Sequence, residues 1–181
     1  MEFIEIILEN VPVKFLKTVI SRHLQVRRAD ILASHFFCPE RGETLEYPDT
    51  EDWTAFFRGT GTSDIYLAEL HIGMTLRNVV VLISHNAACG DITIHFEESQ
   101  FSFADAGEAR TNFKKLFARL MEISSDCKAD GVLIGYEPAE DDDMRILEIR
   151  HGRLRVFYGN IFRSQALQVL CRTGEEAFPS A

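Results

Sequence analysis

The chain has 181 residues, 46% of them apolar, with 14 phenylalanines and a formal net charge of -9. That composition supports a packed core without disulfide or metal staples and excludes intrinsic disorder, and the length fits a single domain over residues 1–181. The acidity is spread, with 8 basic against 12 acidic groups in residues 1–90 and 11 against 16 in residues 91–181, so the whole domain repels phosphate backbones and direct nucleic-acid binding is not expected.

Glu2 to Leu8 alternates Phe3, Ile4, Ile6 and Ile7 with glutamates and reads as a strand; Met1 to Leu8 has no basic stretch, so no signal peptide is expected. Asn10 can cap and Pro12 fits the first turn of a helix to about Leu24, with Leu16, Val19, Ile20 and Leu24 at helical spacing. A short helical piece is expected from Asp30 to Phe36. Residues 38–50, with Pro39, Gly42 and Pro48, read as a loop. Thr50 then caps a short helix, Glu51 to Arg58, stopped by Gly59. Its aromatic face, Trp53, Phe56 and Phe57, fits the core better than an exposed anchor.

Asp64 to Ile72, Asn78 to Ser84 and Asp91 to Phe96 are strand runs joined by short turn sequences, which imply an antiparallel meander. The alternation of Ile92, Ile94 and Phe96 with Asp91, Thr93 and His95 gives one buried and one wetter face. A helix from about Ala106 to Ser124 follows, with Asp105 and Glu108 spaced as a capping box and an apolar stripe of Phe113, Leu116, Phe117, Leu120 and Met121. Strands at 131–136 and 144–149 flank residues 137–143, and His151 and Gly152 turn into a hairpin strand from Arg153 to Tyr158. A last helix spans about Arg163 to Cys171, and Thr173 to Ala181 reads as a frayed tail. The expected fold class is α+β, a single-domain layer sandwich of a mostly antiparallel sheet with flanking helices. No run approaches the roughly 18 apolar residues of a membrane span. The four cysteines include no Cys-x-x-Cys pair, so a reducing, cytoplasmic setting is expected.

Glu137, Glu140, Asp141, Asp142 and Asp143 put five carboxylates into seven residues between two strands. Burying one unpaired carboxylate costs several kcal/mol or more, so this loop is expected to be solvated and projecting. It lacks the glycine and ligand spacing of an EF-hand, which argues against calcium. Arg145, Arg150, Arg153, Arg155 and Arg163 follow it and read as partners for nearby carboxylates rather than as a nucleic-acid surface.

Two histidine–cysteine pairs, His35 with Cys38 and His85 with Cys89, offer four tetrahedral ligands for zinc, though at the spacing of no known zinc motif. Cys89 as a nucleophile would need an imidazole base beside it. Gly59-Thr60-Gly61-Thr62 has the glycines of a phosphate cradle but no lysine and no following helix, so a connector is the better reading. No cofactor is implied.

An acidic α+β chain, the strand Gly90-Asp91-Ile92-Thr93-Ile94-His95-Phe96-Glu97-Glu98 and the carboxylate loop together resemble the immunity proteins that bacteria carry against polymorphic or contact-dependent toxins. The resemblance implies a non-enzymatic protein that neutralises a basic toxin, often a nuclease, by stoichiometric occlusion. It casts Glu137, Glu140, Asp141, Asp142 and Asp143 as partner contacts. The alternative is a metal-binding domain or enzyme using His35, Cys38, His85 and Cys89. A third reading, a structural subunit of a larger assembly, predicts an exposed apolar face.

Overall fold

The computed structural model describes residues 2–38, 42–46, 57, 59–157 and 164–178. The first strand, β1 (Phe3–Pro12), lies in the interior of the sheet, because Ile4, Ile6 and Leu8 all project to one side and are fully buried. It is followed by α1 (Val13–Thr18), β2 (Ile31–Cys38), β3 (Glu43–Leu45), β4 (Gly61–His71), β5 (Thr75–His85) and β6 (Cys89–Glu97). The chain then forms α2 (Ala106–Cys127), β7 (Gly131–Tyr136), β8 (Arg145–Arg150), β9 (Arg153–Val156) and α3 (Gln165–Ala177). Among the described residues the strands make one nine-stranded sheet in the order β3-β2-β4-β5-β6-β1-β7-β8-β9, with each neighbouring pair antiparallel. The fold is α+β, and the expected meander is β4, β5 and β6.

One face of this sheet, here the inner face, carries the helices. Ile92, Ile94 and Phe96 of β6 join Ile4, Ile6 and Leu8 against Phe113, Leu116, Phe117 and Leu120 of α2 and Leu167 and Leu170 of α3. Phe101 stacks edge-on between Phe96 and Phe113, at 5.3 and 5.0 Å between ring centroids. The cap of α2 follows the expected chemistry: Asp105 Oδ1 accepts from the Gly107 and Glu108 amides at 2.7 and 2.9 Å. Glu108 reaches back to the Ala104 amide rather than to that of Asp105. Gly73, at φ +85, turns β4 into β5 so close to α2 that a Cβ there would meet the Lys115 carbonyl at 2.4 Å.

Four expectations are corrected. Residues 31–36 form strand β2 rather than a helix: Ser34 and Phe36 are buried while Ala33, His35 and Phe37 are exposed, the period of two that pairing with β4 demands. Only Arg28–Asp30 makes a helical turn, of 3-10 type. Pro12 ends β1 instead of entering a helix, and α1 is short because the chain widens into a π-helical turn, Val19–His23. Asn10 takes φ +50 and gives its backbone N–H to Asp91, so it caps nothing. The tail is helical to Ala177, because Thr173 and Gly174 are buried, with Gly174 close against Phe117 and Leu154. The expected aromatic helix at 51–58 lies outside the described residues except for Phe57, which is buried against the His85 ring.

Candidate binding surface

Among the described residues the sheet's other face has no helix on it, and strand register states which side chains share it, since directly paired residues project to the same side. One row across it reads Ala33, Tyr66, Val80, His95, Glu5, Gly135. The next reads His35, Asp64, Leu82, Thr93, Ile7, Leu133, Glu148. A third begins Phe37, Thr62, Ser84, Asp91.

The acidic loop covers the β1 and β7 end of these rows. It leaves β7 at Tyr136, passes a cis Glu137–Pro138 bond and folds back over the sheet. Ala139 is fully buried against Ile7 and Leu133, so the loop brings its own small apolar seat. Gly135 makes room for it, because a Cβ there would meet the Met144 carbonyl at 2.7 Å and the Ala139 Cβ at 2.9 Å. The Ala139 amide donates to Glu5 Oε2 at 2.9 Å. Turn bonds run from the Asp141 amide to the Pro138 carbonyl and from the Met144 and Arg145 amides to the Asp141 carbonyl.

Arg145 binds the loop from beneath. Its Nε donates to the Ala139 carbonyl at 3.3 Å, one Nη to the Glu140 carbonyl at 2.5 Å, and the other pairs with Asp142 Oδ1 at 3.0 Å. His95 Nε2 lies 3.2 Å from Glu137 Oε2, within ion-pair reach but off hydrogen-bonding geometry. Burial raises the pKa of Glu5, against the lowering effects of the Ala139 amide and His95.

The five sequence-predicted contact residues thus share one well-anchored turn. Glu140, Asp141, Asp142 and Asp143 are exposed, and Glu137 is half turned toward His95. Glu97 and Glu98 adjoin the loop at the same end of the sheet, where Phe3 pairs with Glu97 and takes the Glu137 amide. Asp91 lies at the far end of β6, bound to the Asn10 amide, and does not extend this surface.

Among the described residues nothing covers the other half of the face, on β2, β4 and β5, and it is partly apolar. Phe37 is 44% exposed, Tyr66 40% and Leu82 39%, beside a His35–Asp64 hydrogen bond of 2.7 Å. Sequence reading did not identify this patch; the helical assignment of 30–36 hid the alternation that places His35 and Phe37 on it.

The zinc alternative does not assemble. His35 faces outward in the row of Leu82, whereas His85, three residues along β5, faces the core, so the two imidazoles lie on opposite sides of the sheet. The Cys38 side chain lies outside the described residues. Cys89 also points away from His85; its thiol meets the side-chain amides of Asn10 and Asn86 at 3.5 and 3.8 Å. His85 instead donates from Nδ1 to the Gly59 carbonyl, and its ring fills the space a Cβ on Gly61 would need, which accounts for the glycine at 61. Among the described residues no three loop carboxylates converge as a cation site.

A family model described as PABL017 Cdi1I immunity protein matches residues 2–152, a span that includes β1 to β8 and the whole acidic loop and stops just before β9. Among solved structures, a chain of the crystal structure of the toxic C-terminal tip of CdiA from Pseudomonas aeruginosa in complex with immune protein has the same fold. It is 18% identical, with a TM-score of 0.60 over 81% of this chain and 94% of that one. No curated protein matches the chain.

Proposed function

The chain belongs to the PABL017 Cdi1I immunity protein family, and from that membership we propose that it neutralises a toxin domain by binding it one to one, without catalysis of its own. The solved relative, a toxin tip in complex with immune protein, supports a protein partner of this kind. We assign the contact to the acidic loop, with Glu137, Glu140, Asp141, Asp142 and Asp143 meeting a basic surface of the toxin.

The observation that carries this reading is the anchoring of the loop. Ala139, Glu5 and Arg145 fix its backbone, while four carboxylates remain exposed above it. A contact held in place before binding loses little conformational freedom on association. Clustered negative charge also accelerates encounter with a basic partner and falls off with salt. Among the described residues no helix is long and apolar enough to cross a membrane.

Affinity purification of the tagged protein at low salt, followed by titration of the captured toxin, tests it. Replacing the five carboxylates by Asn and Gln should weaken binding at least about tenfold and flatten its salt dependence while Tm holds. Unchanged affinity removes the loop from the interface. A second reading rests on the bare half of the sheet face: exposed tyrosine is a frequent interface anchor, and Tyr66→Ala losing affinity while the loop variant keeps it would move the contact there.

A further inference from the structure

His23 closes the π-helical turn that follows α1, on the helix-covered side of the sheet and away from the acidic loop. Its side chain is 2% exposed, yet neither ring nitrogen has a hydrogen-bond partner. A buried polar atom left unpaired costs about 1–3 kcal/mol, so two on one ring require a physical reason. Burial, and then the nearby Arg119 charge, lower the pKa of this imidazole from its ordinary value. The neutral form is the one that offers a lone pair to a metal.

The ring is aimed at two carboxylates. Glu122 and Asp126 stand four apart on α2, hence on one face of its last turns. Asp126 Oδ2 lies 3.7 Å from His23 Nε2, too far for a hydrogen bond. One donor atom from each of the three residues lies within 4.8 Å of the others. Two ligands of a tetrahedral zinc ion, with bonds of about 2.0–2.1 Å, stand roughly 3.4 Å apart. The His23–Asp126 separation is therefore close to the span of a single ion.

We propose that His23, Glu122 and Asp126 form a binding site for a divalent transition-metal ion, with zinc the best match to one imidazole and two carboxylates, which ties the π-helical turn to the C-terminal end of α2. Zinc accepts three protein ligands with water in the fourth position, and an imidazole donor favours it over magnesium. Arg119 has an outer-shell part. It pairs with Glu122 Oε2 at 2.7 Å and donates to the His23 carbonyl at 2.5 Å, orienting both ligands. Its positive charge also opposes the ion, so the site is a moderate binder rather than a fold-defining zinc centre. Cys127, next to Asp126, is packed into the apolar core and is not one of the three ligands.

The test uses the full chain with zinc alone as probe, by equilibrium dialysis with elemental analysis and by thermal melting with zinc or magnesium. Asp126 and Glu122 are half exposed, 50% and 53%, so Asp126→Asn and Glu122→Gln leave a folded protein. The expected result is one zinc per chain and a rise in Tm of roughly 5–10 °C at a hundredfold excess over Kd, with no rise from magnesium. Asp126→Asn should weaken zinc binding by more than the roughly 10–100-fold that loss of an outer-shell partner costs. No retained zinc in the parent chain, or zinc binding unchanged in both variants, overturns the proposal. Toxin binding is no part of the readout, so this site and the proposed function stand or fall separately.

Discussion

Leu133 and Leu82 occupy the same row of the same sheet face, separated by Thr93 and Ile7, yet Leu133 is 1% exposed and Leu82 39%. Strand geometry does not distinguish them; the loop 137–143 does. It is drawn down over β1 and β7 by Ala139, by the Glu5 acceptor and by the absence of a Cβ at Gly135, and nothing equivalent covers β4 and β5 among the described residues. One half of the face is thus spent on holding a charged turn in place, and the other is open to solvent or a partner. The comparison separates two kinds of residue that sequence makes look alike: those that build a contact surface and those that are one.

The strongest way to break that distinction is to truncate both leucines. Leu133→Ala should destabilise the chain by about 2–5 kcal/mol, because it removes the seat of Ala139 and leaves a cavity between loop and sheet. Leu82→Ala should change stability by no more than roughly 0.5 kcal/mol. Urea unfolding of the two variants measures the difference directly. Equal losses would mean that the loop does not close over β7 in solution. If the bare half is the contact, the order reverses in toxin titration, with Leu82→Ala the more damaging of two folded variants.

Much of this arrangement was legible in sequence, and the reasons are local. The meander, α2 with its Asp105 cap, and the strands around the loop followed from periodicity and turn chemistry. The loop itself stood out because five carboxylates within seven residues admit few other structures. Residues 31–36 misled because Ile31, Leu32, Ala33, Phe36 and Phe37 fit a helical face as well as a strand, and only pairing with β4 settles the period. What fastens the loop was not readable. Glu5 lies 134 residues from Ala139, and nothing in a glutamate within an apolar strand says that its oxygen receives a distant amide. The bare patch needs register across three strands, which is a property of the assembled sheet. His23 and Asp126, likewise, meet only because the π-helical turn brings the ring against α2.

Glu5 gives a smaller and pH-dependent test of the anchored half. Because burial raises its carboxyl pKa in the folded chain, the folded chain holds that proton to higher pH than the unfolded chain does. Its contribution to stability is therefore greatest at acid pH and falls as pH rises from the ordinary carboxylate range through the raised folded value. Glu9, whose pKa burial also raises, adds a term of the same sign, so the comparison must be between variants. Glu5→Gln keeps an acceptor for the Ala139 amide without the buried charge. It should match the parent at low pH and exceed it above the folded pKa. Glu5→Ala leaves the amide unpaired and should lie about 1–3 kcal/mol below Glu5→Gln at every pH. Denaturant midpoints for the three proteins across that range decide it; a pH-independent gap between parent and Glu5→Gln would mean that Glu5 is not titrating beneath the loop.

The smallest expected effect on stability belongs to Asp142, and its smallness is what makes it useful. Asp142 is 83% exposed, and its pair with Arg145 is solvated on one side. Exposed pairs of this kind are worth about 0–1 kcal/mol, and Arg145 keeps its two carbonyl bonds whether or not the carboxylate is present. Asp142→Asn should therefore leave the urea midpoint within error of the parent. Tyr66→Ala, exposed on the bare half, should do the same. With folding unchanged in both, any loss of toxin affinity reports contact alone. A slower, less salt-sensitive association for Asp142→Asn assigns encounter to the loop. A faster dissociation for Tyr66→Ala assigns holding to the bare sheet. The two halves are then distinguished by which rate constant each one moves, a separation that affinity by itself does not provide.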